Sequence, residues 1–157
     1  MAEIKTIRGD VIFTYKGELR LVKFDIDQDL VEADFENANL QGTDFGFANL
    51  RRASFKGADL YWASFCSANL EFANFKGAQM TGAVLEKANL RNVNLRRANL
   101  GHDNVGGTTR LNEADIRGSD LRAAILTDAH FDGAKYGATT RFPDGFNPEA
   151  HGMIFEP

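Results

Sequence analysis

"ADLYWASFCSANLEFANF", residues 58–75, says nearly the same thing every five residues. Ala58, Ala63, Ala68 and Ala73 are each followed by a small polar residue and then by Leu or Phe. With the large apolar residue taken as a centre, the frame extends outward from Leu30 to Leu100 as fifteen centres in register. Twelve have Ala two places earlier, the exceptions being Gln28, Thr43 and Val93, so each unit offers one large and one small apolar group. A helix cannot use this spacing, because five residues advance about 140° and spread the apolar positions over every face. A flat strand fails too, since an odd period sends alternate centres to opposite faces. The pattern works if five residues form one short extended side and then turn a corner. Centre and Ala then face inward and the other three positions face out. Four corners close a square coil of twenty residues, and coils stack at about 4.7–4.9 Å.

Every twentieth residue supports the square. One column reads Leu30, Leu50, Leu70, Leu90 and the next Phe35, Phe55, Phe75, Leu95. The third is Leu40, Leu60, Met80, Leu100 and the fourth Phe45, Phe65, Leu85, Val105. After "GHDNVGGTTR" the phase slips by one residue and resumes with Leu111, Ile116, Leu121, Leu126, Phe131 and Tyr136. All three prolines (Pro143, Pro148, Pro157) lie beyond the array, where no coil-to-coil N–H is required.

"ANLRRASFKGADLYWASFCSANL" resembles the pentapeptide repeat proteins, whose motif is Ala, then Asp or Asn, then Leu or Phe, then two variable residues. The resemblance spans about 110 of the 157 residues. It implies an all-β fold, a right-handed quadrilateral β-helix, in agreement with the square coil. "DVIFTYKGELRLVKF" is similar to the hairpin leader of some members, and "TTRFPDGFNPEAHGM" to tails common among cyanobacterial members. The expected organisation is a hairpin cap over 1–27, the β-helix over 28–138 with a one-residue slip in the loop 101–110, and a capping tail over 139–157. The hairpin is expected to pair 11–15 with 18–24 around Lys16-Gly17. The aromatic tail has a second reading as a homodimer contact, and the oligomeric state stays open between monomer and homodimer.

Chemistry is sparse. His102, His130 and His151 are scattered and share no metal-ligand spacing with Cys66. A nucleophilic Cys66 would require a base and an oxyanion site, and its expected neighbours are Ser67, Gly46 and Glu86. The Asp and Asn residues fill a repeat slot whose short side chain bonds turn backbone. No catalytic, cofactor or metal residue is therefore expected, and the chain reads as non-enzymatic. One cysteine among 157 residues excludes an internal disulfide framework and suits a reducing compartment, so the expected location is cytoplasmic. No apolar run reaches the roughly 18 residues of a membrane span, and "MAEIKTIRGDVIF" lacks a secretory apolar stretch, so no membrane partner is expected.

Charge sorts the remaining functions. Net charge is −4. Residues 28–50 carry five acids and no base, while 51–110 carry nine bases against four acids. Some members of the resembled family mimic DNA and modulate gyrase, which requires a dense acidic rod. This basic waist demotes a DNA-mimic topoisomerase modulator to the alternative, which a supercoiling assay separates. The acidic whole speaks against nucleic acid as partner. Lys56, Lys76, Arg96 and, if the slip at the loop restores register, Arg117 are expected to form a basic ladder, and Glu32, Arg51, Glu71, Arg91 and Glu113 an alternating column. Outward aromatics are the other clue: Tyr61 and Trp62 fill both variable positions of one unit, with Phe47 and Phe72 elsewhere. With Arg51 and Arg52 they form the candidate patch for a protein partner, the protein acting as a rigid scaffold.

Overall fold

Each centre is followed by two residues that must reverse the chain by a right angle. The centre carbonyl accepts from the N–H of the next unit's Ala, as from Ala63 to Leu60 at 3.0 Å. The second corner residue takes a positive φ, +56° at Trp62 and +74° at Gly82. Together these make type II turns, which put a left-handed residue at that position. Gly, Asn and Ser fill many of these positions. The polar residue before each centre closes the corner from outside. Its side-chain oxygen accepts from the N–H two residues on, as in Tyr61 N–H to Asp59 (3.2 Å) and Gly46 N–H to Asp44 (2.9 Å).

The computed structural model describes residues 2–15, 19–24 and 29–157. Coil-to-coil bonds replace conventional strands. Leu60 N–H donates to Gln79 at 2.8 Å and Gln79 N–H to Ala58 at 2.9 Å. Parallel bridges recur every twenty residues, Ser54 with Asn74 and Asn74 with Asn94 among them. We number the four sides from the Leu30 column, so the Phe35, Leu40 and Phe45 columns are the second, third and fourth. Centres and most companion Ala residues are buried. Phe35, Phe55 and Phe75 stack with centroids 5.0 and 4.8 Å apart, and Phe24, Phe45 and Phe65 stack at 4.9 and 5.1 Å.

The N-terminal end differs from expectation. The hairpin pairs β1 (Ala2–Thr6) with β2 (Val11–Tyr15), not 11–15 with 18–24. Lys16-Gly17 lies outside the described residues. The stretch 19–24 instead belongs to the coils: Lys23 bridges Asp44, and Phe24 is buried at the head of the fourth column. The physical reason is Phe24, whose ring has a partner waiting in Phe45. β1 also pairs antiparallel with β3 (Ala33–Asp34), which brings Ile4 into the core. At the other end, β4 (Lys135–Tyr136) pairs in parallel with β5 (Ile154–Phe155), and Arg141 bridges Asp120. Residues 141–155 thus lie against the last coil, with Phe146 stacked on Phe142 at 5.0 Å and on His151 at 4.3 Å.

The interruption is larger than one residue. Val84 bridges Arg110, whereas Ser64 bridges Val84, so this coil carries six residues more than its twenty-residue neighbours. Six is one more than a repeat unit, which is why the sequence shows a slip of one. Val105 does not continue the fourth column; it is 79% exposed, and Leu111 takes the place. Thr109 fills the Ala position, its hydroxyl donating to the Met80 carbonyl at 2.9 Å. This shifts every later column. Arg122, not Arg117, follows Arg96, and Glu113 faces Lys87 rather than Arg91.

Ser119 makes a repair of another kind. No turn bond joins Val93 N–H to Leu90. The Ser119 hydroxyl accepts from Val93 N–H at 3.0 Å and donates to the Leu90 carbonyl, bridging the gap from the next coil. Ser119→Ala should strand both groups in the core and cost about 1–3 kcal/mol in urea unfolding. A change within about 0.5 kcal/mol would mean that the direct turn bond re-forms.

Candidate interaction surface

Tyr61 and Trp62 turn the corner after Leu60 on the third side. That column alternates bulk and absence: Leu21, Gly42, Trp62, Gly82. The indole lies across Gly82, where a Cβ would come within 3.1 Å of it. Leu21 leans over Gly42 in the same way, at 2.5 Å. Arg20, Leu21, Gln41, Gly42, Tyr61 and Trp62 line a surface groove of about 230 Å³.

The extra residues come back to this corner. Leu100 belongs to the same column, with Leu126 following it, so the loop 101–108 leaves the rod along the line of Trp62. Gly107 is buried, and a Cβ there would come within 3.1 Å of the indole's far edge. Asp103 ties the loop together. One carboxylate oxygen accepts from Gly107 N–H at 2.7 Å and Val105 N–H at 2.9 Å, and the other accepts from the Tyr61 hydroxyl. The Tyr61 bond, the Gly107 and Val105 amides and the Trp62 indole hold the Asp103 carboxyl below the usual carboxylate range. The same bond pushes the Tyr61 phenol above its ordinary value.

Trp62 nevertheless keeps 51% of its surface. A bulky residue at positive φ is strained by about 1–2 kcal/mol. The sequence points to both side chains outward with nothing large beside the indole. The structure keeps them outward but supplies the loop as a flank. Asp103 and Gly107 carry no signal in the five-residue frame, because their partners Tyr61 and Trp62 lie far away in the chain.

Arg51 and Arg52 do not join this patch. They turn the corner after Leu50 on the first side, diagonally across the coil. Arg51 pairs with Glu71 at 3.2 Å and Arg52 with Glu32 at 3.5 Å. Phe72 shares their corner and Phe47 that of the fourth side, both exposed. The Cys66 thiol has the Ser67 hydroxyl at 4.0 Å as its only bonding neighbour among the described residues. His102 pairs with Asp128 at 3.0 Å, and His151 lies on Phe146. Among the described residues no three His, Cys, Asp or Glu gather as a metal site, and no helix is long and apolar enough to cross a membrane.

Two family models match the chain: "Pentapeptide repeat region" over residues 28–105 and "Pentapeptide repeats (8 copies)" over 109–135. The gap between them falls within the loop. A search of curated proteins finds no match. Among solved structures the chain is similar to HetL, a pentapeptide repeat protein involved in heterocyst differentiation regulation from the cyanobacterium Nostoc sp. strain PCC 7120. Identity is 34% over 73% of this chain and 49% of HetL, with a TM-score of 0.69. It is also similar to a pentapeptide repeat protein from the Arabidopsis thaliana thylakoid lumen, at 31% identity, 62% and 63% coverage, and a TM-score of 0.57. The matched part thus spans about half of HetL and under two thirds of the plant protein. QnrB1, a plasmid-mediated fluoroquinolone resistance protein, aligns at 16% identity over 88% of this chain and 91% of its own, with a TM-score of 0.29, and contributes nothing to a functional reading.

Proposed function

The chain belongs to the pentapeptide repeat family, a right-handed quadrilateral β-helix, and from that premise we propose that it is a non-enzymatic scaffold engaging a protein partner through the Tyr61–Trp62 corner. One observation carries the reading: a half-exposed indole at a left-handed corner, in a column where its neighbours are Gly42 and Gly82, braced by an inserted loop. The fold has no need of it, since glycine serves that corner on both adjoining coils. A rigid, partly desolvated aromatic beside a shallow groove is the anatomy of an interface hot spot. Bracing by Asp103 also lowers the ordering cost of binding. The proposed interface does not use Arg51 and Arg52, which turn the diagonal corner in ordinary surface ion pairs of small individual worth.

Trp62→Gly is the cleanest test, because it deletes the indole and relieves the strained φ together. Its melting temperature should stay close to that of the parent. Capture of partner from native extract should fall on the order of thirty-fold, the effect of losing a 2 kcal/mol hot spot. Lys87→Ala, on another corner, should leave capture unchanged. Equal capture by Trp62→Gly and the parent would sink the reading.

A further inference from the structure

The structural register gathers cations that the sequence scatters. Lys56, Lys76, Arg96 and Arg122 follow the centres of the second side in four successive coils. They form one column with steps of about 4.8 Å. Arg97 stands beside Arg96, and Arg91 turns the preceding corner of the same edge. Lys56 is paired with Glu36 at 2.7 Å, and Arg122 with Asp120 at 2.7 Å. Lys76, Arg91, Arg96 and Arg97 are all exposed, and none has an ion pair among the described residues. The next corner along the chain, which carries Tyr61 and Trp62, offers Thr81-Gly82 and Gly101-His102 in the same two coils. The unpaired part of the basic waist therefore lies along two neighbouring corners of the rod, while Arg51, Arg52, Lys87 and Arg110 are held in ion pairs.

Like charges in register on neighbouring strands oppose folding; Asp115 and Asp120, each bonded to its own arginine, act on Arg91 and Arg96 only through space, and Lys76 and Arg97 have no ion pair among the described residues. We propose that this edge is a second docking surface, separate from the Tyr61–Trp62 corner, and that its occupant is a short acidic segment of another protein. Two features favour a polypeptide over a nucleic acid. The same edge turns acidic in the first coil, where Asp29, Glu32, Asp34 and Glu36 lie about two coils from Lys76. A duplex along the rod carries one charge per roughly 1.7 Å and would run onto those acids. Phe72 is the edge's single exposed aromatic among the described residues, too few for the stacking platforms that single strands use. A cluster of Asp and Glu on a peptide can end where the basic coils end. A flat face of guanidinium and ammonium groups steers such a cluster and pairs with it.

The test uses full-length protein at about 0.15 M salt, with fluorescent poly-L-glutamate and a short DNA duplex as probes. Poly-L-glutamate should bind, more weakly as salt rises. Lys76→Glu/Arg96→Glu/Arg97→Glu should lose at least about ten-fold, and the Gln triple variant an intermediate amount. Reversing Lys87 and Arg110, on the fourth side, should leave binding within about two-fold. Far-UV circular dichroism and melting temperature establish that each variant is folded. Trp62→Gly should bind poly-L-glutamate normally, so failure at one surface is distinguishable from failure at the other. No salt-sensitive binding, or equal loss in both charge-reversal variants, overturns the proposal. Tighter binding of the duplex makes the edge a nucleic-acid surface, and self-association abolished by the triple reversal gives it to a second copy; either result also overturns it.

Discussion

Phe55→Ala should lower unfolding stability by about 3–5 kcal/mol, the range for emptying an aromatic core site. Phe55 is fully buried and sandwiched between Phe35 and Phe75, with Phe45 and Phe65 meeting it edge-on at 5.7 and 5.4 Å. The substitution removes the ring and four aromatic contacts together. A small inward Ala at each companion position leaves no side chain able to swing into the space. Coils contact only their neighbours, so a hole in the middle also weakens coupling between the two halves of the rod. Phe75→Leu should cost far less, about 1.5 kcal/mol or under, because Leu95 already occupies that column one coil on. Urea titration followed by circular dichroism measures both. A Phe55→Ala cost below about 1 kcal/mol would contradict the stacked-ring core.

The five-residue period made the coil legible because it is a strictly local instruction: every centre, Ala and polar slot is read from its own unit. Phe55, Ala58 and Asp59 could be placed without knowing anything else. What the period does not carry is register across an interruption. An insertion of six residues and one of a single residue look alike modulo five, so Leu111 was legible as a centre but its column was not. The ladder expected at Arg117 therefore moves to Arg122. Arg51 and Arg52 fail as partners of Trp62 for a related reason. Nearness along the chain says little in a square coil, where ten residues lead to the far side. Leu19 to Phe24 reads like a hairpin strand in the sequence, yet the buried ring of Phe24 fixes it in the coils. Asp103 was invisible because its role rests on a side chain forty-two residues away.

Asp103→Ala should release the loop, and the sole Trp of the chain reports it. In the parent, Gly82 and Gly107 flank the indole, so its emission should sit between those of a buried and a free tryptophan. Loss of the carboxylate removes the acceptor for Val105 N–H, Gly107 N–H and the Tyr61 hydroxyl at one stroke. Emission should then shift to the red, acrylamide quenching should rise, and proteolysis near Val105 should accelerate on the order of ten-fold or more. Asp103→Asn keeps one acceptor oxygen and should fall between. The core should barely notice, since Thr109 and Leu111 hold the coil after the loop. The pH dependence follows from the two shifted groups. Asp103 is depressed, so its contribution is full above the ordinary carboxylate range and fades as pH falls through its lowered value. Tyr61 is raised, so its contribution is full below the ordinary tyrosine range and fades as pH climbs through its raised value. Trp62 emission should accordingly be flat through neutral pH and move red at both extremes. In Asp103→Ala the acid limb should vanish. A parent spectrum already that of a free tryptophan, unchanged by Asp103→Ala, would mean that the loop does not brace the indole in solution.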